Sequence, residues 1–229
     1  GRRGGDGLLG GAGVVRGRVR AGGDCRRAGE GARAGENLIP AGSVMTPARI
    51  GLAAAGGHDT VSVRRRPIVR LLVLGDEILA EGPARDGRVR DSLGPQLPGW
   101  LSRLGVDLVE TVHVEDTLPA QSTALSSAAE AADFAVTTGG TAAGPADHLR
   151  AAIAATGGSL IVDQVACRPG HPMLLAGWDS GRRLVALPGN PLAAIVALMT
   201  LGQPLVAGLQ GRPLEPLPGL RLGAFVSSQ

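Results

Sequence analysis

The 229-residue sequence contains no lysine, and all 23 of its basic side chains are arginine. A phosphate-binding P-loop in its usual lysine-bearing form is therefore excluded. Codon bias in a GC-rich genome accounts for the arginine without invoking a function. Tyrosine is also absent and aromatics make up only 2% of the chain, so there is no platform on which unpaired bases could stack. The net charge is a modest +3, and the basic run Arg64-Arg65-Arg66 leads into Pro67 with no aromatic interleaved. No nucleic-acid partner is expected. The two cysteines, Cys25 and Cys167, form no C-x-x-C pair, which excludes a disulfide framework or a structural zinc site and points to a reducing, cytoplasmic setting. Neither a G-x-S-x-G elbow nor an H-E-x-x-H pair is present.

What the chain does have is ordinary globular composition, 44% hydrophobic and 19% charged, with enough length for one large domain or a domain and a half. The 37 glycines and 16 prolines show no three-residue period and punctuate apolar runs, as turn residues do. The start, Gly1-Arg2-Arg3-Gly4-Gly5, is not followed by the apolar run of a signal peptide. As the sequence does not begin with methionine, the expectation is a piece of a longer protein. The nearly charge-free stretch from Leu184 to Leu209 is broken by Pro188, Asn190, Pro191, Gln203 and Pro204. That leaves about eleven residues of uninterrupted helix former against the ~20 a bilayer needs, so a buried helix and no membrane span are expected.

Residues 1–66 are glycine-rich with short β-like pieces, Val14-Val15 and Thr60-Val61-Ser62-Val63. Between them Thr46, Pro47 and Gly56-Gly57 frame a capped helix over Ala48 to Ala55. This part is expected to be a portion of a small β-rich domain. After Pro67 the pattern changes to apolar strands alternating with helices. Strands are expected at Ile68–Leu74, Val106–Val114, Phe134–Thr138, Leu160–Val165 and Arg183–Leu187, and helices near 93–104, 120–131, 147–155 and 192–201. Near-continuous apolar strands suit a sheet buried on both faces. The expected fold is α/β, a doubly wound, mostly parallel sheet over residues 67–210. Residues 211–229, with Pro213, Pro216 and Pro218, read as a linker or the start of a further β domain.

Open α/β sheets bind ligands at the carboxyl ends of their strands. Four segments lie there: Gly75-Asp76-Glu77, Asp116, the loop from Thr137 to Asp147, and Leu187-Pro188-Gly189-Asn190-Pro191. Thr137-Thr138-Gly139-Gly140 runs from strand to helix, where glycines let backbone N–H groups approach a phosphate and the helix start adds partial positive charge. A simple tight turn explains the same glycines equally well. Glu77, Asp116 and Asp147 could converge to hold Mg²⁺ through one or two carboxylates while substrate phosphates complete its shell. Asp147 is equally placed to cap a helix.

Taken together and in order, Gly75-Asp76-Glu77, Asp91-Ser92, Thr138-Gly139-Gly140 with Gly144 and Asp147, Arg168-Pro169-Gly170-His171-Pro172 and Leu187-Pro188-Gly189-Asn190-Pro191 resemble the signature of the MoeA family of molybdenum insertases. Gly35-Glu36 and Pro47-Ala48-Arg49-Ile50-Gly51-Leu52 resemble the segment before it. The resemblance covers about Arg26 to Gly211. It implies a MogA-like α/β domain set beside β-rich domains, most of which the present sequence does not contain. It also implies a homodimeric, Mg²⁺-dependent transferase that takes adenylylated molybdopterin and molybdate, leaves molybdenum on the dithiolene and releases AMP, in contact with other proteins of the same biosynthesis.

By that resemblance Glu77, Asp116 and Asp147 are catalytic acids, with Glu77 and Asp147 holding the metal. Gly139 and Gly140, flanked by Thr138 and Gly144, hold the pterin or its phosphate. Arg168 and His171 meet anions. Asp76, Ser92, Pro188, Gly189 and Asn190 complete the binding loops.

The sequence departs from the family pattern at Leu74, where Thr or Ser is usual, at Leu93 for Asn, at Arg168 and His171 for two lysines, and at Ala193 for Ser. These exchanges remove polar contacts. An adenylyltransferase built on the same domain and a binding module without turnover are the alternatives, the former disfavoured by the Glu36 to Arg66 lead-in.

Overall fold

The computed structural model describes residues 27–142, 144 and 147–214. The chain divides into two units, Gly1–Val61 and Ser62–Gln229. In the first, helix α1 (Pro47–Ala55) begins as its sequence predicts: the Thr46 hydroxyl accepts the Arg49 N–H, Pro47 opens the first turn and Gly56 follows the last. Among the described residues of this unit there is no strand. The extended piece expected at Thr60–Val63 pairs with nothing, and Val61 and Val63 remain 46% and 62% exposed. Two β-branched residues without a face to bury against do not make a strand. Val14-Val15, Cys25, Pro216 and Pro218 lie outside the described residues.

The second unit runs β1 (Ile68–Leu74), β2 (Ile78–Leu79), β3 (Val89–Arg90), α2 (Leu93–Arg103), β4 (Asp107–Val114), α3 (Leu118–Ala131) and β5 (Phe134–Thr138). It continues α4 (Leu149–Ala155), β6 (Ser159–Asp163), β7 (Leu174–Gly177), β8 (Arg183–Leu187), α5 (Pro191–Ala197), a π turn (Leu198–Gly202) and α6 (Gln203–Leu209). Six strands form one sheet in the order β4-β1-β5-β8-β7-β6. β4, β1, β5 and β8 are mutually parallel, whereas β7 is antiparallel to both β8 and β6.

Each strand's two-residue period feeds two cores. Leu71 and Val73 pack with Leu97, Leu101, Ala197, Leu198 and Val206 of α2 and of the helical run after β8. Leu72 and Leu74 pack on the other face with Leu125, Leu149 and Ile153 of α3 and α4. Burying each such leucine is worth about 1.5–3 kcal/mol, which is why the inner strands read as nearly continuous apolar runs, whereas the edge strands β4 and β6 carry polar residues as well.

The hairpin strand β7 was not anticipated, although Asp179-Ser180-Gly181 marks its turn into β8, with Gly181 at φ +86° and its N–H donating to the Trp178 carbonyl. The last helix does not stop before Gln203 and Pro204: it is helical throughout Pro191–Leu209, 19 residues with a mean hydropathy of 1.9. Pro204 is admitted by the π turn, in which the Gln203 N–H reaches back five residues to the Leu198 carbonyl. The widened turn makes room for a ring that would press on an ordinary helical turn. By length and composition this helix could cross a membrane, but here Ala194, Ala197, Leu198 and Val206 are fully buried on the sheet.

Candidate functional site

The chain leaves β1 through α2 to β4 on one side and returns through α3 to β5 on the other side of β1. The carboxyl ends of β1 and β5 therefore border the point where strand order reverses, where an α/β sheet opens a crevice. The loops expected to bind ligand meet there. Gly139, at φ +80°, donates its N–H to the Leu187 carbonyl at 2.9 Å. A Cβ added at Gly139 would lie 3.1 Å from the Leu74 carbonyl oxygen, and one at Gly140, φ +67°, 2.8 Å from the Leu74 side chain. Leu74, where the family pattern has Thr or Ser, thus forms the apolar floor under the glycine turn. Close packing and positive φ alone require glycine at both positions.

Beyond this turn, a Cβ at Gly189 would meet only the Gly139 Cα, at 4.0 Å. Asn190 is an N-cap whose side-chain oxygen accepts the Ala193 N–H at 3.0 Å. Pro188 is buried, while Gly189 and Asn190 are exposed. The Arg168–Pro172 segment packs against the first turn of α5, since a Cβ on Gly170 would meet Val196 at 3.2 Å and the Ala193 carbonyl at 3.4 Å. Arg168 and His171 are exposed there, and the His171 Nδ1 lies 3.0 Å from the Val165 carbonyl. With that nitrogen donating to the carbonyl, Nε2 is the ring atom left to meet a ligand.

On the other flank Asp76 and Asp116 exchange backbone-to-carboxylate hydrogen bonds of 3.3 and 3.2 Å. The Gln121 amide donates to Asp116 at 3.3 Å. Glu77 is exposed, its carboxylate folded over Gly75. The small β2–β3 pair brings Asp91 back beside this segment: the Val89 N–H donates to the Glu77 carbonyl and the Asp91 N–H to the Leu79 carbonyl, both at 2.8 Å. Asp91 is buried and caps α2 through the N–H groups of Leu93 and Gly94 at 3.0 and 2.8 Å, with its other oxygen 3.3 Å from His113 Nε2. Ser92 next to it is exposed. The Asp91–His113 contact, half-exposed on its histidine side, could not be read from sequence, because the two residues meet only when β4 pairs with β1.

The two oxygens of Asp147 have different surroundings. Its Oδ1 accepts the Leu149 N–H at 3.2 Å, and its Oδ2 is buried without a partner. Burial holds its pKa above the usual aspartate range, against the opposing pull of the Leu149 N–H and Arg150, and the nearby charge of Asp116 pushes the same way as burial. A carboxylate so placed fits a divalent cation, which would satisfy the bare oxygen and relieve the repulsion. Among the described residues, however, no three His, Cys, Asp or Glu side chains stand close enough together to hold a metal ion. The acids brought into electrostatic reach are Asp116 and Asp147. Helix α4 has only seven residues, so its dipole offers an anion little, and any cradle is made by the loop backbone. Gly144 is exposed, with nothing within 4 Å of an added Cβ. Thr138 is buried.

Arg65 and Arg66 of the basic run serve the fold. Arg65 forms a two-pronged pair with Asp133, both contacts 2.6 Å, and Arg66 pairs with Asp107 at 3.2 Å. A cleft of about 720 Å³ opens along β4 and α3, lined by Arg70, Glu110, His113, Glu115 and Thr117 among others.

Residues 70–208 match the family described as "Probable molybdopterin binding domain". The molybdopterin molybdenumtransferase of Nostoc is 30% identical over 177 residues, 76% of this chain and 41% of that protein. That of Staphylococcus aureus is 30% identical over 182 residues, 79% of this chain and 43% of its own. A crystal structure of a molybdopterin biosynthesis MoeA protein from Pyrococcus horikosii superposes with a TM-score of 0.69 at 25% identity, covering 80% of this chain and 46% of that one. The chain thus spans less than half the length of these relatives.

Proposed function

This chain belongs to the molybdopterin-binding domain family, and on that footing we propose that its strand-end loops bind molybdopterin and take part in molybdenum cofactor biosynthesis as a molybdenumtransferase. The finer reading is that adenylylated molybdopterin and molybdate are the substrates, that the adenylate is cleaved with release of AMP, and that molybdenum passes to the dithiolene. The observation that carries it is the junction at the strand-order reversal: the Gly139-Gly140 turn is tied to the Leu187 carbonyl and packed on Leu149, whose N–H donates to Asp147, and the other Asp147 oxygen is buried without a partner.

In this reading Gly139 and Gly140 present backbone to the pterin phosphate, with Thr138 and Gly144 at the ends of the turn and Gly189 closing its far side. Arg168 supplies a charge that does not titrate in the physiological range, and His171 an imidazole nitrogen, toward molybdate or phosphate. Ser92 and Asp76 border the pterin. Asp147 would hold Mg²⁺ with Glu77 or Asp116, the remaining positions falling to phosphate and water, as is usual for this ion. Mg²⁺ bound there would neutralise phosphate charge as the adenylate is cleaved. Turnover is proposed for a homodimer in the cytoplasm.

The test supplies adenylylated molybdopterin, molybdate and Mg²⁺ to the purified chain and measures AMP. Release that depends on all three, and is lost in Asp147→Ala, supports the transferase. Binding of molybdopterin without AMP release would make this chain a binding module, and conversion in the ATP-consuming direction an adenylyltransferase.

A further inference from the structure

Arg150, on the first turn of α4, is not among the residues assigned above, yet its guanidinium joins three segments. Nη1 donates to the carbonyls of Thr141 and Ala142 at 3.2 and 3.1 Å, and Nη2 to Asp163 at the end of β6 at 2.8 Å. The side chain is 25% exposed, so these bonds are partly shielded from water. They close the glycine loop on itself, since 141–142 lie at its start and Arg150 just beyond its end.

From these contacts we infer that Arg150 is a positioning residue for the anion-binding face of the loop, acting on the phosphate of the ligand through the backbone it holds. The reason is the planarity of the peptide. In a trans peptide the C=O and N–H point to opposite sides, so a guanidinium that captures the Thr141 carbonyl turns the N–H of Ala142 away from α4. Upstream, Gly139 and Gly140 hold successive positive φ values of +80° and +67°, and Thr141 is buried. The segment is therefore held at both ends, by the Leu187 carbonyl and by Arg150. A planar fork suits this task because it serves two carbonyls and a carboxylate at once, whereas a lysine ammonium is a point charge on a flexible stem. Asp163 offsets the charge of the guanidinium through its 2.8 Å contact with Nη2.

The inference rests on the reading that molybdopterin binds this loop, and the experiment separates the two. Affinities are measured under anaerobic conditions for molybdopterin and for its dephosphorylated form, with wild type, Arg150→Met, Arg150→Lys and Asp163→Ala. Loss of ordered backbone donors to a phosphate should weaken binding of molybdopterin by about tenfold or more in Arg150→Met. Affinity for the dephosphorylated form should change less than about twofold. Arg150→Lys should recover part of the phosphate preference, and Asp163→Ala should show a smaller loss in the same direction. Equal loss for both ligands, or no loss for either, overturns the role of Arg150 while leaving the ligand reading in place. Wild type binding neither form overturns both. Should Arg150→Met not fold, the exposed Asp163→Ala and the conservative Arg150→Lys decide by the same ratio: an unchanged phosphate preference in both overturns the inference.

Discussion

Asp147 is where stability and function pull apart. Its pKa is raised chiefly by burial and further by Asp116, so the folded chain binds a proton there more tightly than the unfolded chain. The stability linked to this group is fully present below the ordinary aspartate value and is lost as pH rises through the raised one. In Asp147→Asn no such loss occurs. Thermal melts should therefore show the melting temperature of the variant minus that of wild type growing across that window and level above it. Partial exposure keeps the change to on the order of 1–3 °C. Mg²⁺ should raise the wild-type melting temperature above the window and leave the variant unmoved, because ligand that binds only the native state stabilises it. A difference that stays constant with pH would remove the desolvated carboxylate from the account. The sequence marked Asp147 as a strand-end acid but could not give the unequal surroundings of its two oxygens, which depend on the Leu149 N–H lying within reach of one and on protein closing over the other.

At the scale of loops and strands, most of what was legible came from period and punctuation. Ile68–Leu74 and Phe134–Thr138 were readable to the residue, because strands buried on both faces leave a nearly continuous run of apolar and β-branched residues, broken in the first only by Arg70. Thr46 and Pro47 marked α1 for the same kind of local reason. What escaped depends on partners distant in sequence: β2 and β3, two residues each, exist only through each other, and the helix passes Pro204 only because a π turn precedes it. Among the loops, Gly139 and Gly189 look alike in sequence and differ in structure, which yields a contrast. Gly139→Ala places a Cβ 3.1 Å from the Leu74 carbonyl at φ +80°, and should cost about 1–2 kcal/mol of stability by strain. Gly189→Ala meets nothing closer than 4.0 Å and should melt within about 1 °C of wild type. If ligand approaches that backbone, Gly189→Ala should nevertheless lose molybdopterin affinity, read by titration. Unchanged affinity in this well-folded variant would confine the Leu187–Pro191 loop to its capping role.

Among the described residues, both hydrophobic cores are built from residues of the second unit, from Val69 to Val206. A domain with its own core folds by itself, so a chain beginning at Ser62 should melt in one cooperative transition and bind molybdopterin as the longer chain does. Where the unit begins can be decided more finely. The change of pattern at Pro67 suggested a boundary there, yet Arg65 and Arg66 are tied to the α/β unit, the first to Asp133 and the second to Asp107 and the Ser102 carbonyl. Asp133 also accepts the Ile68 N–H at 2.7 Å, fixing the start of β1 beside the start of β5. The Arg65 guanidinium holds the Asp133 carboxyl below the usual aspartate range, with the Ile68 N–H acting the same way against partial burial. Stability from this group is thus present above the ordinary aspartate value and lost as pH falls through the lowered one. A chain beginning at Pro67 lacks both arginines and should melt below the chain beginning at Ser62 at neutral pH. The gap should shrink in acid as Asp133 is protonated, and also with added salt, since the pair is largely exposed. Equal melting temperatures for the two chains across pH and salt would show that the arginine lead-in contributes nothing and would place the start of the unit at Pro67.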